Sequence, residues 1–517
     1  MISLAPLLAC LIAGAPEAPP ARVVVVVGYN GGAPDPRPPL SFADDDAARL
    51  FLQLAGGARR AWLLTTFDKE SARAFPDLAD IARAPTKEAL AGALGEAFWF
   101  LRQEKDRGEK TELVFAFAGH GDVDDGGQGF VVFADGAFTR GDLARQVLLP
   151  SPADLNHVVV DACSSYFFVK SRGSEAEAVP LTPALFDALK DPLPQELVAR
   201  TGLLVSTSQA VEVHESRALS AGVFSYLLRS ALAGGGDVDG DGRVEYGEAA
   251  VFVGAASQAV EDPRARLHVF AEPPLQRPHA ALVDLRGQAD EPALSFLAVD
   301  EPGRVRLLDA RGVPWAEVNN DVNSGKKRPV YLSLAGQPFF VVQKDGAEAV
   351  LVPRSGGAYA LSSLDFSPAP TARGDGGGPF ARLFERPLDD GFVRGFFASG
   401  ASIEPVGGSE PFAPAWSLAG TPPQRVPVGL IGGAVLGGAA VAGVAAGGAI
   451  VGNQLAFQEL ERGFGQTGQL DPARVLEVDG WRNAATALTA TAVVLGIAGG
   501  ALVLWSLSLE DGEVALP

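Results

Sequence analysis

Residues 113–121 read LVFAFAGHG and residues 158–165 read VVVDACSS, and these two stretches carry the strongest signal of how the chain folds. Each is an apolar run that ends in small or polar residues, which is typical of a buried strand followed by a turn. A third apolar run, the valines of residues 23–27, ends in Gly28. Buried strands without polar alternation are typical of sheets covered on both faces, so we expect an α/β fold.

His120 and Cys163 come at the ends of two of these strands. In open α/β sheets ligands bind beyond the carboxyl ends of the strands, so both side chains are expected at one site. An imidazole near a thiol predicts a Cys/His nucleophilic dyad, with the backbone amides of Gly121 and Cys163 as an oxyanion hole. The alternative is that Cys163 is a small buried apolar residue and that the Gly-His-Gly sequence carries no function.

The blocks at 117–121 and 160–165 resemble the His-Gly and Asp-x-Cys blocks of the caspase-like cysteine peptidases, nearer to metacaspases and their bacterial relatives than to animal caspases. The likeness covers residues 22–285 and includes the first strand, an Asp-Ala helix at 43–54 and the segment 205–226. It implies a mostly parallel sheet sandwiched by helices over 22–288 and cysteine endopeptidase activity. Ser165 and Ala118 depart from the family pattern, so a catalytically inactive peptide-binding or scaffold homologue stays open.

Asp161 and Asp46 match two acidic positions that line the substrate pocket in metacaspases. The resemblance implies that they select Arg or Lys before the scissile bond, the P1 position, by charge-assisted hydrogen bonds. From the residues alone, Asp161 can equally cap a turn, and Asp46 can be an exposed residue of a first helical turn. Glu212 and Glu215 are expected in a loop beside the cleft, as solvated residues. Surface or strand-edge positions are expected for the remaining histidines, His157, His214, His268 and His279.

Residues 237–248 match the calcium-binding loop of an EF-hand. The carboxylates of Asp237, Asp239, Asp241 and Glu248 and the backbone carbonyl of Arg243 occupy ligand positions, and Gly242 stands at the sharp turn. Oxygen donors of this kind suit Ca²⁺, which we expect as the cofactor, with no organic cofactor. The alternative is a surface turn rich in Asp and Gly. Helices are expected on both sides of the loop, at 224–232 and 246–260.

Three further regions follow the first domain. Short apolar runs separated by turn signals predict a small β-sandwich at 292–366, and a linker rich in Pro and Gly is expected at 367–425. Residues 426–452 and 484–509 each exceed the roughly 20 apolar residues that span a bilayer, so we expect two transmembrane helices. The connection 453–483 carries arginines whereas the tail 510–517 is acidic, which predicts a cytoplasmic connection and a first domain exported to the periplasmic or extracellular side.

The N-terminus and the composition agree with export. Residues 1–21 resemble a short signal segment, and an alternative reading makes Cys10 a lipidated residue. Only two cysteines are present, which leaves Cys163 without an intrachain partner in a mature chain. The net charge of −20 argues against nucleic-acid binding. Together these features predict a membrane-tethered cysteine endopeptidase acting on a protein or peptide substrate. The alternatives are an inactive relative and a calcium-responsive adhesin or scaffold.

Overall fold

The computed structural model describes residues 19–32, 37–124, 129–162, 194–207, 215–260, 267–286, 295–321, 330–334, 338–354, 357–368, 380, 382–398, 424–427 and 513–516. The chain divides into two compact units, Met1–Leu418 and Ala419–Pro517. Cys163 and most of the two expected transmembrane segments lie outside the described residues. Within the described part, no helix is both long and apolar enough to cross a membrane.

The first half of unit Met1–Leu418 alternates strands and helices. Its strands are β1 (Ala21–Tyr29), β2 (Arg60–Thr65), β3 (Thr111–Gly119), β4 (Gly121–Val123), β5 (Gly129–Phe133), β6 (Gly136–Thr139), β7 (Leu155–Ala162), β8 (Thr201–Thr207), β9 (Glu215–Ser216), β10 (Ala221–Gly222), β11 (Arg243–Glu245), β12 (His268–Glu272) and β13 (Ala281–Asp284). Its helices are α1 (Ala43–Ala55), α2 (Lys69–Ala74), α3 (Pro76–Ile81), α4 (Lys87–Asp106), α5 (Arg140–Asp142), α6 (Gln195–Ala199), α7 (Val223–Ser230) and α8 (Tyr246–Ser257). Helices α5 and α7 continue as π-helical turns, Leu143–Leu148 and Ala231–Gly235.

A six-stranded sheet in the order β12-β8-β7-β3-β1-β2 forms the centre of this half. Strands β1, β2, β3, β7 and β8 are parallel, and β12 is antiparallel to β8. Alternate valines of β1 face opposite sides: Val24 and Val26 pack with α1, α7 and α8, and Val25 packs with α4. Because both faces are covered, the central strands carry apolar residues at nearly every position. The expected α/β fold with a mostly parallel sheet between helices is confirmed.

The second half consists of strands in two sheets. The strands are β14 (Ser295–Val299), β15 (Gly303–Asp309), β16 (Pro314–Asn320), β17 (Val330–Leu334), β18 (Phe339–Gln343), β19 (Ala347–Leu351), β20 (Ala358–Ala360) and β21 (Ser367–Pro368). One sheet has the order β17-β14-β20 and the other β16-β15-β18-β19-β21. We call residues 295–368 the β module. Apolar residues of both sheets belong to the same buried cluster as Val24 and Leu50 in the first half, so the two halves share one core.

Close packing joins the β module to α7 and the turn after it. The Tyr226 hydroxyl donates to Glu317 Oε2 at 2.9 Å, and both side chains are buried. Gly234 has a φ of +125°. A Cβ at Gly234 would lie 1.9 Å from the Tyr331 carbonyl oxygen of β17. Only glycine allows the two backbones to approach so closely.

Part of the expected linker at 367–425 is packed against the core. The ring of Phe384, which is 2% exposed, lies 6.1 Å from that of Tyr226 and 5.8 Å from that of Phe252 between ring centroids. Helix α9 (Asp390–Ala398) follows and packs on α8, where Gly254 faces Phe392. The Pro and Gly content of this region predicted a tether, but its aromatic residues bury too much apolar surface to remain in solvent.

The ends of the expected segments also differ in detail. Ala21, assigned to the leader, is fully buried at the start of β1 and pairs with Thr111. In unit Ala419–Pro517, β22 (Gln424–Pro427) pairs antiparallel with β23 (Glu513–Leu516). The expected first transmembrane segment therefore begins with residues of a strand at 426 and 427.

A buried polar cluster lies at the amino ends of β1, β3 and β7. The His157 Nδ1 lies 2.7 Å from the Tyr246 hydroxyl, and Nε2 lies 3.7 Å from Glu112 Oε2. Arg22 donates to Glu112 from Nε and Nη2, at 2.9 and 2.7 Å. Burial acts to raise the pKa of Glu112, but Arg22 and His157 outweigh it and hold the pKa well below the usual range. The expected surface or edge position for His157 is wrong, because its side chain is fully buried in a central strand.

Candidate functional site

His120 directly follows β3 and is buried, with 7% of its surface exposed. Gly119 before it has a φ of +155°, and a Cβ there would lie 2.8 Å from the Tyr29 carbonyl oxygen, so this position requires glycine. The Nε2 of His120 lies 2.9 Å from the carbonyl oxygen of Pro38. Because a carbonyl only accepts, Nε2 carries the proton in this contact, and Nδ1 is the basic nitrogen of the neutral ring.

The carboxyl end of β7 lies next to that of β3. Ala162 and Gly119 are register partners on these neighbouring parallel strands. Cys163 follows Ala162 in the chain and His120 follows Gly119. Adjacent strands are about 4.8 Å apart, so the chain leaves both strands at the same level of the sheet. The predicted partnership of His120 and Cys163 remains a prediction, because residues 163–193 lie outside the described part of the chain.

The amide of Gly121, predicted as an oxyanion donor, belongs to β4. Gly121 is opposite Val131 of β5, and Val132 N donates to His120 O at 2.9 Å. This pattern makes Gly121 and Val131 a pair without mutual hydrogen bonds. The N–H of Gly121 therefore points away from β5, as an oxyanion donor would require.

Asp46 and Asp161 both lie close to Gly222 in one pocket. A Cβ built on Gly222 would lie 3.1 Å from Asp46 Oδ2 and 3.4 Å from Asp161 Oδ2. Other residues that line the pocket are Leu40, Ala43, Ala118, Gly119, Ala162, Ser206, Glu215, Val223, Phe224 and Leu267. The structure thus brings together, at the carboxyl edge of the sheet, the two carboxylates that the family resemblance pairs.

The two carboxylates differ in their surroundings. Asp46 is 3% exposed, so the alternative of an exposed helix residue is wrong. Its Oδ2 accepts a hydrogen bond from Gly222 N at 2.6 Å, and its Oδ1 lies 3.6 Å from Arg229 Nη2. Burial raises the pKa of Asp46, and the charges of Arg229 and Arg49 act against this. Asp161 accepts from the hydroxyls of Ser206, at 3.3 Å, and Ser225. Burial raises its pKa to about 6 despite these bonds.

Glu215 belongs to the same pocket, although the sequence predicted a solvated side chain. Its carboxylate accepts from the backbone amides of Ser41, at 2.9 and 3.1 Å, and Phe42, at 2.9 Å. Nothing in the sequence near Glu215 indicates this role, because the contact joins residues 173 positions apart. Glu212 and His214 lie outside the described residues.

The loop 237–248 gathers three of its predicted ligand residues. Carboxylate oxygens of Asp237, Asp239 and Glu248 lie within 4.8 Å of one another. Asp241 is not in this group; its Oδ1 accepts from Arg243 N at 2.8 Å. Gly242, with a φ of +82°, makes the expected sharp turn. Oxygen donors of this kind fit a hard cation such as Ca²⁺.

The strand within this loop has a partner from outside the motif. In β11, Val244 pairs antiparallel with Val283 of β13. The β13 carbonyls of Ala281 and Leu282 accept from Arg22 at the start of β1, whereas the pocket lies beyond the end of β1 at Tyr29. Seven residues of strand span roughly 23 Å, so the loop and the pocket lie at opposite ends of the sheet. His279 lies near the loop, with Nδ1 3.2 Å from Glu245 Oε2.

Comparisons with known proteins do not assign a family. No protein-family model matches the chain, and no curated protein matches it. One similar solved structure is protein GSU0716 from Geobacter sulfurreducens, with 15% identity, coverage of 52% of this chain and 100% of that chain, and a TM-score of 0.32. A likeness at this TM-score supports no inference about the fold or the activity.

Proposed function

We propose that the chain is a caspase-like cysteine endopeptidase, nearest in type to the bacterial metacaspase-like enzymes. One observation carries the proposal: β3 and β7 end in register at Gly119 and Ala162, and the next residues are His120 and Cys163. A mostly parallel sheet between helices, with an acidic pocket at the same edge, agrees with this assignment. The bounds 22–288 for a catalytic domain and 292–366 for a β-sandwich belong to the same proposal, as two domains that share one core.

In the proposed reaction, Nδ1 of His120 takes the proton of the Cys163 thiol, while Nε2–H stays bonded to the Pro38 carbonyl. The thiolate attacks the scissile carbonyl carbon, and the amides of Gly121 and Cys163 hold the resulting oxyanion. The imidazolium then protonates the leaving amine. Water, deprotonated by His120, releases the acyl group and restores the thiol.

The pocket supports a preference for Arg or Lys at P1. The Asp161 carboxylate is held by two serine hydroxyls and has a pKa of about 6, so it is ionised at neutral pH. Asp46 is already opposite Arg229, which makes Asp161 the main carboxylate for a substrate cation. A charge-assisted hydrogen bond to a P1 guanidinium or ammonium contributes about 1.5–3 kcal/mol to binding.

A peptide-library cleavage assay on the full-length protein tests the activity. We expect cleavage after Arg and Lys, its loss in Cys163→Ala, and its retention in Cys10→Ala, the same substitution at the other cysteine. Full activity in Cys163→Ala would contradict the dyad. An unreactive Cys163 thiol together with peptide binding but no cleavage would support the alternative, an inactive peptide-binding homologue.

We also propose that the loop 237–248 binds Ca²⁺. Asp237, Asp239 and Glu248 would hold the ion, with Asp241 and the Arg243 carbonyl as the further ligands expected from the motif. At a calcium concentration about 100 times the Kd, binding adds about 2.7 kcal/mol to the free energy of unfolding. We expect a rise in the melting temperature of the full-length protein that is lost in Glu248→Gln and kept in Glu88→Gln, an exposed control. Equal melting temperatures with calcium and with chelator would refute the site.

Membrane attachment and export are proposals that rest on the segments 1–21, 426–452 and 484–509. The full-length protein is expected to sediment with membranes and to resist alkaline extraction, with the connection 453–483 on the cytoplasmic side. Release of the intact protein by alkaline extraction would contradict two transmembrane helices. Accessibility of residues 22–288 to protease added outside the cell tests their exported location.

A further inference from the structure

Glu215 joins the two sides of the candidate pocket, and this role follows from no motif. We propose that Glu215 is a positioning residue for His120, an inference that rests on the proposed peptidase function. Glu215 positions His120 by holding the segment 38–42, in which the Pro38 carbonyl accepts a hydrogen bond from the imidazole. The Glu215 carboxylate is thereby engaged with backbone amides and is not a ligand for the substrate.

The first link is between Glu215 and the start of α1. Phe42 is the N-cap residue of α1, and its side chain makes no capping hydrogen bond. Helices begin with backbone amides that lack intrahelical partners. Glu215 supplies acceptors from outside the helix, with Oε1 2.9 Å from Phe42 N and Oε2 2.9 Å from Ser41 N. A carboxylate at this end of a helix is also favoured by the helix dipole.

The second link is between Ser41 and His120. Only two residues, Pro39 and Leu40, separate Ser41 from Pro38, and three residue steps reach at most about 10 Å. Leu40, between them, donates its N–H to Asn30 O at 2.6 Å. A segment this short transmits a displacement of Ser41 to the Pro38 carbonyl. That carbonyl lies 2.9 Å from His120 Nε2, so moving it would disturb a contact that orients the ring.

The third link makes Glu215 a rigid anchor. Glu215 pairs with Gly222 in the β9–β10 hairpin. Gly222 N in turn donates to Asp46 Oδ2 of α1 at 2.6 Å. The hairpin and α1 therefore exchange hydrogen bonds in both directions: a hairpin carboxylate binds amides before α1, and a carboxylate of α1 binds a hairpin amide.

Glu215 and Asp161 have different hydrogen-bond partners, and the Glu215 charge acts to raise the pKa of Asp161, so its removal leaves Asp161 ionised at neutral pH. Removing the Glu215 carboxylate should disturb the imidazole but leave the P1 carboxylate, which is held by Ser206 and Ser225. We therefore expect a fall in kcat and in thiolate reactivity at Cys163, with an unchanged preference for basic P1 residues. A substrate-binding role would give the opposite result, a loss of P1 preference with a normal thiolate.

The test uses full-length protein carrying Cys10→Ala, so that Cys163 is the remaining thiol. Glu215→Ala and Glu215→Gln are compared with Glu88→Gln, the latter at an exposed position of α4. The measurements are the rate of iodoacetamide alkylation of Cys163 against pH, and kcat and KM for paired peptides with Arg or norleucine at P1. Misplacement of a catalytic group costs on the order of 100-fold, so we expect kcat and the alkylation rate at pH 7 to fall about 10- to 100-fold in Glu215→Ala. Glu215→Gln keeps one acceptor oxygen and should lie between.

Three results would overturn the inference. Unchanged alkylation and kcat in both Glu215 variants would refute it and leave the peptidase proposal standing. Loss of the Arg preference with normal alkylation would assign Glu215 to substrate binding instead. If Cys163 of the parent protein alkylates no faster than a free thiol and cuts no peptide, the peptidase proposal fails, and this inference fails with it. Melting temperatures identify a variant that is merely unfolded. If Glu215→Ala is unfolded, the alkylation rate and kcat of Glu215→Gln decide between these results.

Discussion

Replacing Arg22 by Met should strongly destabilise the protein, because it leaves the buried Glu112 carboxylate without its cation. The two side chains are 12% and 7% exposed. Arg22 makes two hydrogen bonds to Glu112, at 2.9 and 2.7 Å, and two to the carbonyls of Leu282 and Ala281, at 2.6 and 2.9 Å. Removing one partner of a buried ion pair costs about 3–5 kcal/mol. Methionine keeps most of the aliphatic volume, so this cost arises from the lost charge and hydrogen bonds.

The destabilisation should shrink as the pH falls. In the wild type, Arg22 and His157 hold the pKa of Glu112 well below its usual value of 4.5. Its contribution to stability is therefore complete above pH 4.5 and is lost only as the pH falls through the lower, folded-state pKa. In Arg22→Met the lowering by Arg22 is lost, so the pKa of Glu112 is higher than in the wild type and the folded variant takes up a proton at a higher pH. The difference in free energy of unfolding between Arg22→Met and the wild type therefore becomes smaller as the pH falls below 7.

Equilibrium urea unfolding of the full-length protein, followed by tryptophan fluorescence at pH 7 and pH 5, measures this difference. Arg286→Met is the matched control, since Arg286 pairs with Asp284 where the side chains are 49% and 39% exposed. A surface pair of this kind contributes less than about 1 kcal/mol. Equal losses in the two variants at pH 7, or a loss in Arg22→Met that grows at pH 5, would refute the reasoning.

Three further predictions concern the pocket and the strands that carry it. Because the pKa of Asp161 is about 6, its carboxylate ionises as the pH rises through that value. The ratio of kcat/KM for Arg to kcat/KM for norleucine at P1 should therefore increase between pH 5 and pH 7.5. A constant ratio would exclude Asp161 as the residue that binds the P1 cation. Gly119→Ala places a methyl group 2.8 Å from the Tyr29 carbonyl oxygen, so it should lower the free energy of unfolding by about 1–3 kcal/mol in urea and reduce peptidase activity. An unchanged free energy of unfolding would contradict the close approach of the two backbones. Tyr246→Phe removes the hydrogen bond to His157 and should lower the free energy of unfolding by about 1–3 kcal/mol. An unchanged free energy of unfolding would show that only the packing of the Tyr246 ring stabilises the protein.

The central strands could be predicted because their sequences leave little choice. The valines of 23–27 and the run 113–118 lie within β1 and β3, and α1 begins at Ala43 as expected. Asp46 and Asp161 were placed in one pocket by resemblance, and the structure places both beside Gly222. The strands and α1 depend on local pattern, which a sequence carries directly, whereas the pairing of Asp46 with Asp161 depends on the family resemblance.

Other features depend on contacts between distant residues, and local pattern does not carry these. Glu215 looks like a solvated loop residue until the backbone amides of Ser41 and Phe42 are placed next to it. The burial of His157 could not be predicted from its own strand, because its partners Tyr246 and Glu112 lie in other elements. Likewise, a segment rich in Pro and Gly gave no sign that Phe384 would enter the core.

The shared core has a consequence for folding during synthesis. Apolar residues of α7 and of the turn after it are covered in part by the β module, and the last buried ring of the shared cluster belongs to Phe384. Phe384 N donates to Ala256 O at the end of α8, and its carbonyl accepts from Asn319 of β16. A nascent chain released only to Arg286 would expose the apolar surface that these contacts cover. The pocket-bearing half therefore reaches its final packing only after the ribosome has released about a hundred more residues, so the candidate active site is assembled late.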